Sequence, residues 1–160
     1  VQMALMSHHG TATSLFSPAH RAYALHARDL LQQLGLADQA DRAAAELAYG
    51  DLKRLELAMA FANTPQLLLM DEPTAGMAPA ERDALMRLAI TACRVRDVAL
   101  LFTEHDMDVV FGFADRVIVM NRGRVIAQGT PDEVRVNDEV RAVYLGGVEI
   151  NATDKRAAHA

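Results

Sequence analysis

Two adjacent carboxylates follow a short apolar run near the middle of this chain. The run Leu67 to Met70 has the continuous apolar character of a buried parallel strand, and Asp71 and Glu72 come directly after it. Asp71 could hold Mg²⁺, directly or through water, because this cation prefers carboxylate and phosphate oxygens. Glu72 could polarise the water that attacks a γ-phosphate, since phosphoryl transfer depends almost entirely on positioning and charge neutralisation. The alternative interpretation is a strand that simply ends in a polar loop.

A histidine stands in the equivalent place after the next apolar run. Residues Val98 to Thr103 predict a second strand, and His105 lies two residues beyond it. Parallel strands present their functional groups at their carboxyl ends, so we expect His105 beside Glu72. Its imidazole could then hydrogen-bond a γ-phosphate and orient the attacking water. The other five histidines are interpreted as surface residues, and no Cys or His cluster has metal-ligand spacing.

A glycine turn precedes the carboxylates by one helix and one strand. It consists of Ala48, Tyr49, Gly50 and Asp51, and it leads into a helix predicted from Leu52 to Asn63. The free amides and the positive dipole end of such a helix suit a phosphate. A helix cap with no ligand is the alternative.

The loop after the carboxylates ends at Pro79, a residue suited to the first position of a helix that continues to about Arg96. Within this loop, Ala75, Gly76, Met77 and Ala78 could contact a second subunit. A simple connector between strand and helix is the alternative.

The chain around these residues divides into two regions with different predicted secondary structure. Residues 1 to 49 predict helices, the clearest from Pro18 to Leu34, with Gly35 in the left-handed conformation that stops a helix. A packing face is predicted for Leu25, Leu30, Leu31 and Leu34. From residue 50 onward strands and helices alternate, which predicts an α/β fold with a mostly parallel sheet.

The last part of the chain predicts a hairpin and short helices. Strands over 116 to 120 and 124 to 128 flank the turn residues 121 to 123. Short helices are predicted from 131 to 145, and residues 146 to 160 predict a loose tail.

Composition limits the possible partners and compartment. The chain has 160 residues, a net charge of -5 and only two lysines, so no nucleic-acid partner is expected. The single cysteine, Cys93, and the absence of a secretion signal favour a reducing cytoplasm. Apolar runs are shorter than the roughly 18 to 20 residues of a membrane-spanning helix, so membrane association is expected only through partners.

Over residues 45 to 145, the chain resembles the nucleotide-binding subunits of ABC transporters. Four segments carry this resemblance: LAYGDLKRLELAMAFA, LLLMDEPTAGMAP, LLFTEHDMDVV and ADRVIVMNRGRVIAQGTPDEV. The resemblance implies that Asp71 is the last residue of the Walker B motif, that Glu72 is the catalytic glutamate and that His105 is the switch histidine. It further implies that residues 48 to 51 belong to the signature, which contacts ATP in trans, and that residues 75 to 78 form the D-loop. The ATPases of branched-chain amino acid importers are the most similar subgroup.

Two residues depart from the family pattern. Ala48 replaces the signature serine that would donate to the γ-phosphate, and Ala78 replaces a polar D-loop residue. Each change is expected to weaken a closed dimer by about 0.5 to 1.5 kcal/mol.

The sequence also contains no GxxxxGK[S/T] motif, since Leu52 precedes Lys53 and Asp154 precedes Lys155. We therefore expect an N-terminally truncated chain with a partial P-loop NTPase core. The expected domains are a helical subdomain over 1 to 64, the C-terminal part of the core over 65 to 145, and the tail.

These features predict a transporter ATPase that uses ATP and Mg²⁺ and is inactive without its P-loop. The expected partners are a second ATPase subunit and transmembrane permease subunits, at the cytoplasmic face of the inner membrane. The alternative is a non-catalytic module that binds a permease or a partner ATPase. An ABC-type ATPase of DNA repair or translation is disfavoured, because no basic surface or long charged insertion is visible.

Overall fold

The structure is a computed structural model, and it describes residues 1 to 8 and 18 to 144, with the side chains of 18 to 22 excluded. The chain forms two compact units, Val1–Asp106 and Met107–Ala160. The domain boundary expected from the sequence, after residue 64, falls inside the first of these units. The expected tail, residues 146 to 160, lies outside the described residues.

The first unit contains the helical segment and the parallel strands. Its helices are α1 (Gln2–His8), α2 (Pro18–Gln33), α3 (Tyr49–Phe61) and α4 (Pro79–Val95), its strands are β1 (Leu67–Asp71) and β2 (Ala99–Thr103), and two short 3-10 helices cover Ala37–Gln39 and Ala44–Glu46. The predicted helices α2, α3 and α4 and the predicted strands β1 and β2 are present, although α3 begins three residues earlier than expected. The expectation of helix throughout residues 1 to 49 was wrong for residues 35 to 48, which contain only the two 3-10 helices. None of the described helices is long and apolar enough to cross a bilayer.

Helix α2 ends in the conformation predicted at Gly35. This glycine has a φ of +70°, which residues with a Cβ rarely adopt. The Gly35 N–H donates to the Gln32 carbonyl at 3.0 Å, and the Leu36 N–H donates to the Leu31 carbonyl at 2.7 Å. This pair of bonds is a Schellman motif, and Leu31 and Leu36 are both buried, as the motif's apolar contact requires.

The packing face predicted for α2 is correct for three of its four leucines. Leu30, Leu31 and Leu34 are buried, whereas Leu25 is 71% exposed. Leu25 lies nine residues before Leu34, and at 3.6 residues per turn it therefore lies on the opposite side of the helix. Including Leu25 in the face was wrong.

Strands β1 and β2 are parallel, as predicted, but they are not buried on both faces. They pair in register from Leu67 with Ala99 to Asp71 with Thr103. Leu68 is buried against the helices, while Leu67, Leu69 and Leu101 are half or more exposed. The prediction of fully buried strands was wrong, because in the described part of this unit the core covers only one face of a two-stranded sheet.

The second unit is built on the predicted hairpin. It comprises α5 (Met107–Phe113), β3 (Val117–Asn121), β4 (Arg124–Gly129), α6 (Pro131–Arg135) and α7 (Asp138–Tyr144). The strands are antiparallel, and the turn residues Arg122 and Gly123 both have positive φ, as a type I′ turn requires. Its small core consists of Val110, Val117, Val119, Val134 and Val140.

Helix α6 begins with a reciprocal pair of hydrogen bonds, a capping box. The Thr130 N–H donates to Glu133 Oε2 at 2.8 Å, and the Glu133 N–H donates to Thr130 Oγ1 at 3.4 Å. The bond from the Thr130 backbone is the main cause of a lowered pKa at Glu133, with further lowering by the Thr130 hydroxyl and by the charge of Arg116.

This capping box predicts a pH dependence of stability. A carboxylate with a lowered folded-state pKa stabilises the fold above its unfolded pKa, here 4.5, and the contribution is lost as the pH falls through the folded-state pKa. We expect wild-type protein to have a higher free energy of unfolding than Glu133→Gln at neutral pH, with a difference that shrinks below pH 4.5. Urea unfolding over a pH series measures this difference. A constant difference across the series would contradict the prediction.

Candidate active site

The parallel register of β1 and β2 brings the predicted carboxylates and histidine to one edge of the sheet. Asp71 and Thr103 are directly paired at the carboxyl ends of the two strands. The Thr103 hydroxyl donates to Asp71 Oδ1, and Thr103 also accepts from the Glu72 N–H, through its carbonyl at 3.0 Å and its hydroxyl at 3.2 Å. His105 follows two residues later on the same edge.

Glu72 and His105 are neighbours across this edge, as the sequence predicted. His105 Nδ1 lies 3.6 Å from Glu72 Oε1, and the two side chains are 71% and 53% exposed. A carboxylate in this position can accept a proton from water, while the imidazole can donate to an anionic oxygen. The pair can therefore serve a hydrolytic reaction whose substrate approaches from solvent.

Asp71 is also accessible, and its surroundings suit a shared rather than a closed metal site. Among the described residues, no group of three or more His, Cys, Asp or Glu side chains is arranged to hold a metal ion. Mg²⁺ commonly uses one or two carboxylates and completes its shell with water and substrate phosphate oxygens. The exposed carboxylate of Asp71, oriented by Thr103, fits that mode of binding.

The glycine turn lies at the start of α3, which begins at Tyr49. Ala48 is extended (φ -63°, ψ 155°), and no side chain caps the helix there. The first helical N–H groups are therefore oriented as an anion site requires. An ideal Cβ at Gly50 would meet only the Met77 side chain, at 3.8 Å, so packing within the described chain does not require glycine.

The loop of residues 75 to 78 is adjacent to the glycine turn. The Tyr49 hydroxyl donates to the Ala75 carbonyl at 3.2 Å. Gly76 has a φ of +75° and is exposed, as is Ala78, while Met77 is buried in the core of the unit. The structure thus brings the two segments together and gives the Met77 side chain a packing role.

Contacts that were not predicted from the sequence join the loops after β1 and β2. Thr74 is buried and donates to the Glu104 carboxylate, and Arg82 of α4 forms an ion pair with Asp106. Polar residues flanking His105 were the available signal, but only the fold shows which partners they meet.

Two family models match this chain. The model described as ABC transporter matches residues 3 to 75, and the model described as Branched-chain amino acid ATP-binding cassette transporter matches residues 124 to 150. With the α/β fold and the paired motifs at the sheet edge, these matches identify the class. The chain belongs to the ATP-binding proteins of the ABC transporter family, as its sequence motifs predicted.

Individual relatives agree with this assignment. The chain is 40% identical over 148 residues to the high-affinity branched-chain amino acid transport ATP-binding protein LivG of Salmonella typhimurium, covering 87% of this chain and 58% of LivG. It is 37% identical over 134 residues to the BraF protein of Pseudomonas aeruginosa, which has the same description, covering 84% and 52%.

A solved structure supports the fold. The chain is similar to cbiO1 from Clostridium perfringens, part of the ABC transporter complex cbiONQ, with a TM-score of 0.71 and 31% identity, covering 87% of this chain and 55% of cbiO1. The predicted fold class, a P-loop NTPase of ABC type, is thereby confirmed. The chain spans between half and three fifths of the length of these relatives.

Proposed function

We propose that this chain supplies the hydrolytic residues of an ABC importer ATPase. The observation that carries the proposal is the 3.6 Å contact between Glu72 and His105 beside Asp71, at the carboxyl edge of parallel strands. Glu72 accepts a hydrogen bond from the attacking water and draws off its proton as the oxygen bonds to the γ-phosphorus. His105 donates to a γ-phosphate oxygen as the bond to the leaving ADP oxygen breaks.

Mg²⁺ held near Asp71 would neutralise charge on the β- and γ-phosphates of ATP. The chain's own contribution is the orientation of the carboxylate, because the Thr103 hydroxyl donates to Asp71 Oδ1. This bond leaves the Asp71 side chain facing the exposed edge on which Glu72 and His105 also stand.

The glycine turn acts on a second ATP, bound by a partner ATPase subunit. The N–H groups at the start of α3 face the γ-phosphate of that nucleotide, and this role explains a glycine at position 50 that packing within the chain does not require. Ala48 contributes no hydroxyl, so the backbone amides of Tyr49, Gly50 and Asp51 carry the contact. The loop of residues 75 to 78 faces the same partner.

The transported substrates are branched-chain amino acids, and a membrane permease is the further partner. Support comes from the descriptions of LivG and BraF and from the family model matched at residues 124 to 150. Residues 1 to 49 engage the permease, and the protein works at the cytoplasmic face of the inner membrane.

The second candidate function is a non-catalytic module that binds a permease or a paired ATPase. It is favoured by one sequence observation, the lack of a GxxxxGK[S/T] motif in these 160 residues. Such a module would contribute the Gly50 turn to a partner's nucleotide without turning over ATP itself.

Nucleotide binding separates the two functions. The 160-residue chain alone lacks the amide cradle and lysine of a P-loop, so its dissociation constant for MgATP is expected to be about 1 mM or higher. The same chain extended at its N-terminus by a segment that carries GxxxxGK[S/T] is expected to bind MgATP with a micromolar dissociation constant and to hydrolyse it. Isothermal titration calorimetry measures both affinities. The same titration with ATP in the presence of EDTA, which removes Mg²⁺, is the control for the metal. Micromolar binding by the chain alone would show that it holds a complete site. Binding without hydrolysis by the extended chain would favour the non-catalytic module.

A further inference from the structure

The separation of Glu72 and His105 is not maintained by packing of their own side chains. Both side chains are more than half exposed, and their 3.6 Å contact is longer than a normal hydrogen bond. Long exposed side chains on two different loops lose this alignment readily unless the backbones beneath them are held together. The alignment therefore depends on contacts that join the loop after β1 to the loop after β2.

Glu104, the residue immediately before His105, makes the principal contact. Its Oε1 accepts from the Thr74 N–H at 3.0 Å and from the Thr74 hydroxyl at 2.6 Å. Thr74 is only 3% exposed, and it is the one buried polar residue among those the structure describes. Hydrogen bonds to a carboxylate are shorter and stronger than bonds between neutral groups, so this partly buried pair of bonds joins the two loops.

The backbone of Glu72 shows why such a contact is needed. Its φ is +43°, in the left-handed region that a residue with a long side chain rarely adopts. Thr103 accepts from its N–H through two oxygens, and the Ala75 N–H donates to its carbonyl at 3.1 Å. A strained conformation persists only where the surroundings over-determine it. Thr103 holds the start of the segment from 72 to 74, and Glu104 holds its end.

We propose that Glu104 is a positioning residue, which acts through Thr74 to hold Glu72 opposite His105. This inference rests on the proposed function. Glu104 is directed at Thr74 rather than at a substrate, so its contribution is to the alignment of the hydrolytic pair and not to nucleotide affinity. Removing it should lower turnover while leaving the binding of MgATP nearly unchanged.

The test uses steady-state ATPase kinetics of this chain extended at its N-terminus by a segment that carries GxxxxGK[S/T]. Thr74→Val keeps the shape of the side chain but removes the hydroxyl donor, and kcat is expected to fall about 10-fold to 100-fold with KM for ATP changed less than about two-fold. Thr74→Ser restores the donor and should recover most of the lost turnover. Thr91→Val, the same substitution at an exposed position on α4, is the matched control.

A second variant keeps the proposal testable if Thr74→Val fails to fold. Glu104→Gln retains an acceptor oxygen without the charge, and a smaller loss of kcat at unchanged KM is expected. In the 160-residue chain, hydrogen exchange of the Thr74 amide should also accelerate in Glu104→Ala. Wild-type kcat in both Thr74→Val and Glu104→Gln, or a rise in KM at constant kcat, would overturn the inference.

These outcomes remain separate from a failure of the proposed function. If Glu72→Gln turns over ATP at the wild-type rate, the hydrolytic role itself is wrong. If Glu72→Gln is inactive while the Thr74 and Glu104 variants are fully active, only the positioning role of Glu104 is wrong.

Discussion

Replacing Glu72 by glutamine in this chain, extended at its N-terminus by a segment that carries GxxxxGK[S/T], is expected to lower kcat by a factor of about 100 or more. Glutamine has nearly the same size but cannot accept the proton of the attacking water. The Glu72 side chain is 53% exposed and contacts His105, so the change should not disturb the core. Affinity for MgATP is therefore expected to stay within a few-fold of wild type.

The control is Glu139→Gln, the same substitution at an exposed position on α7. It removes one negative charge from the second unit, which contains none of the proposed site residues, and should leave kcat unchanged. Single-turnover hydrolysis, measured beside equilibrium nucleotide binding, separates a loss of chemistry from a loss of affinity. Wild-type turnover in Glu72→Gln would remove Glu72 from the role of base.

Replacing Leu34 by alanine is expected to lower the free energy of unfolding by about 2 to 5 kcal/mol. Leu34 is fully buried at the end of α2, where it belongs to the same core cluster as Leu57 and Phe61 of α3. Deleting most of its side chain removes apolar contacts and leaves a cavity that the surrounding helices fill only in part. Urea unfolding of the 160-residue chain, followed by circular dichroism, measures the loss.

Leu25→Ala is the matched control, because it makes the same chemical change on the same helix at a site that is 71% exposed. A change within about 0.5 kcal/mol is expected there. Equal destabilisation by the two substitutions would mean that both sides of α2 are packed in solution. That result would contradict the arrangement of the helical segment described above.

Local structure could be predicted from the sequence wherever neighbouring residues decide it. The helix stop at Gly35 and the hairpin turn at Gly123 depend on backbone conformations that glycine adopts at low cost, and the structure contains both. The apolar runs before Asp71 and His105 are strands, because runs of this length that end in polar residues favour extended chain in an α/β pattern. The motifs at their ends were sufficient to predict the family.

Packing that involves distant residues could not be predicted in this way. Helical periodicity places Leu25 on the side of α2 opposite Leu34, but only the positions of α1 and α3 decide which of these two sides is covered. For the same reason the apolar run of β1 did not reveal that Leu67 and Leu69 are exposed. Burial depends on which elements lie on each face of a sheet, and a strand's own residues do not specify its neighbours.

The candidate site shows the same division. By itself, the sequence determined that carboxylates and a histidine follow two parallel strands, and hence that Glu72 and His105 meet at one edge. Only the tertiary structure decided how they are held there, through the left-handed backbone of Glu72 and the bonds from Thr74 to Glu104. Those bonds join residues 30 positions apart, and their formation depends on strand register and loop geometry that no local pattern encodes.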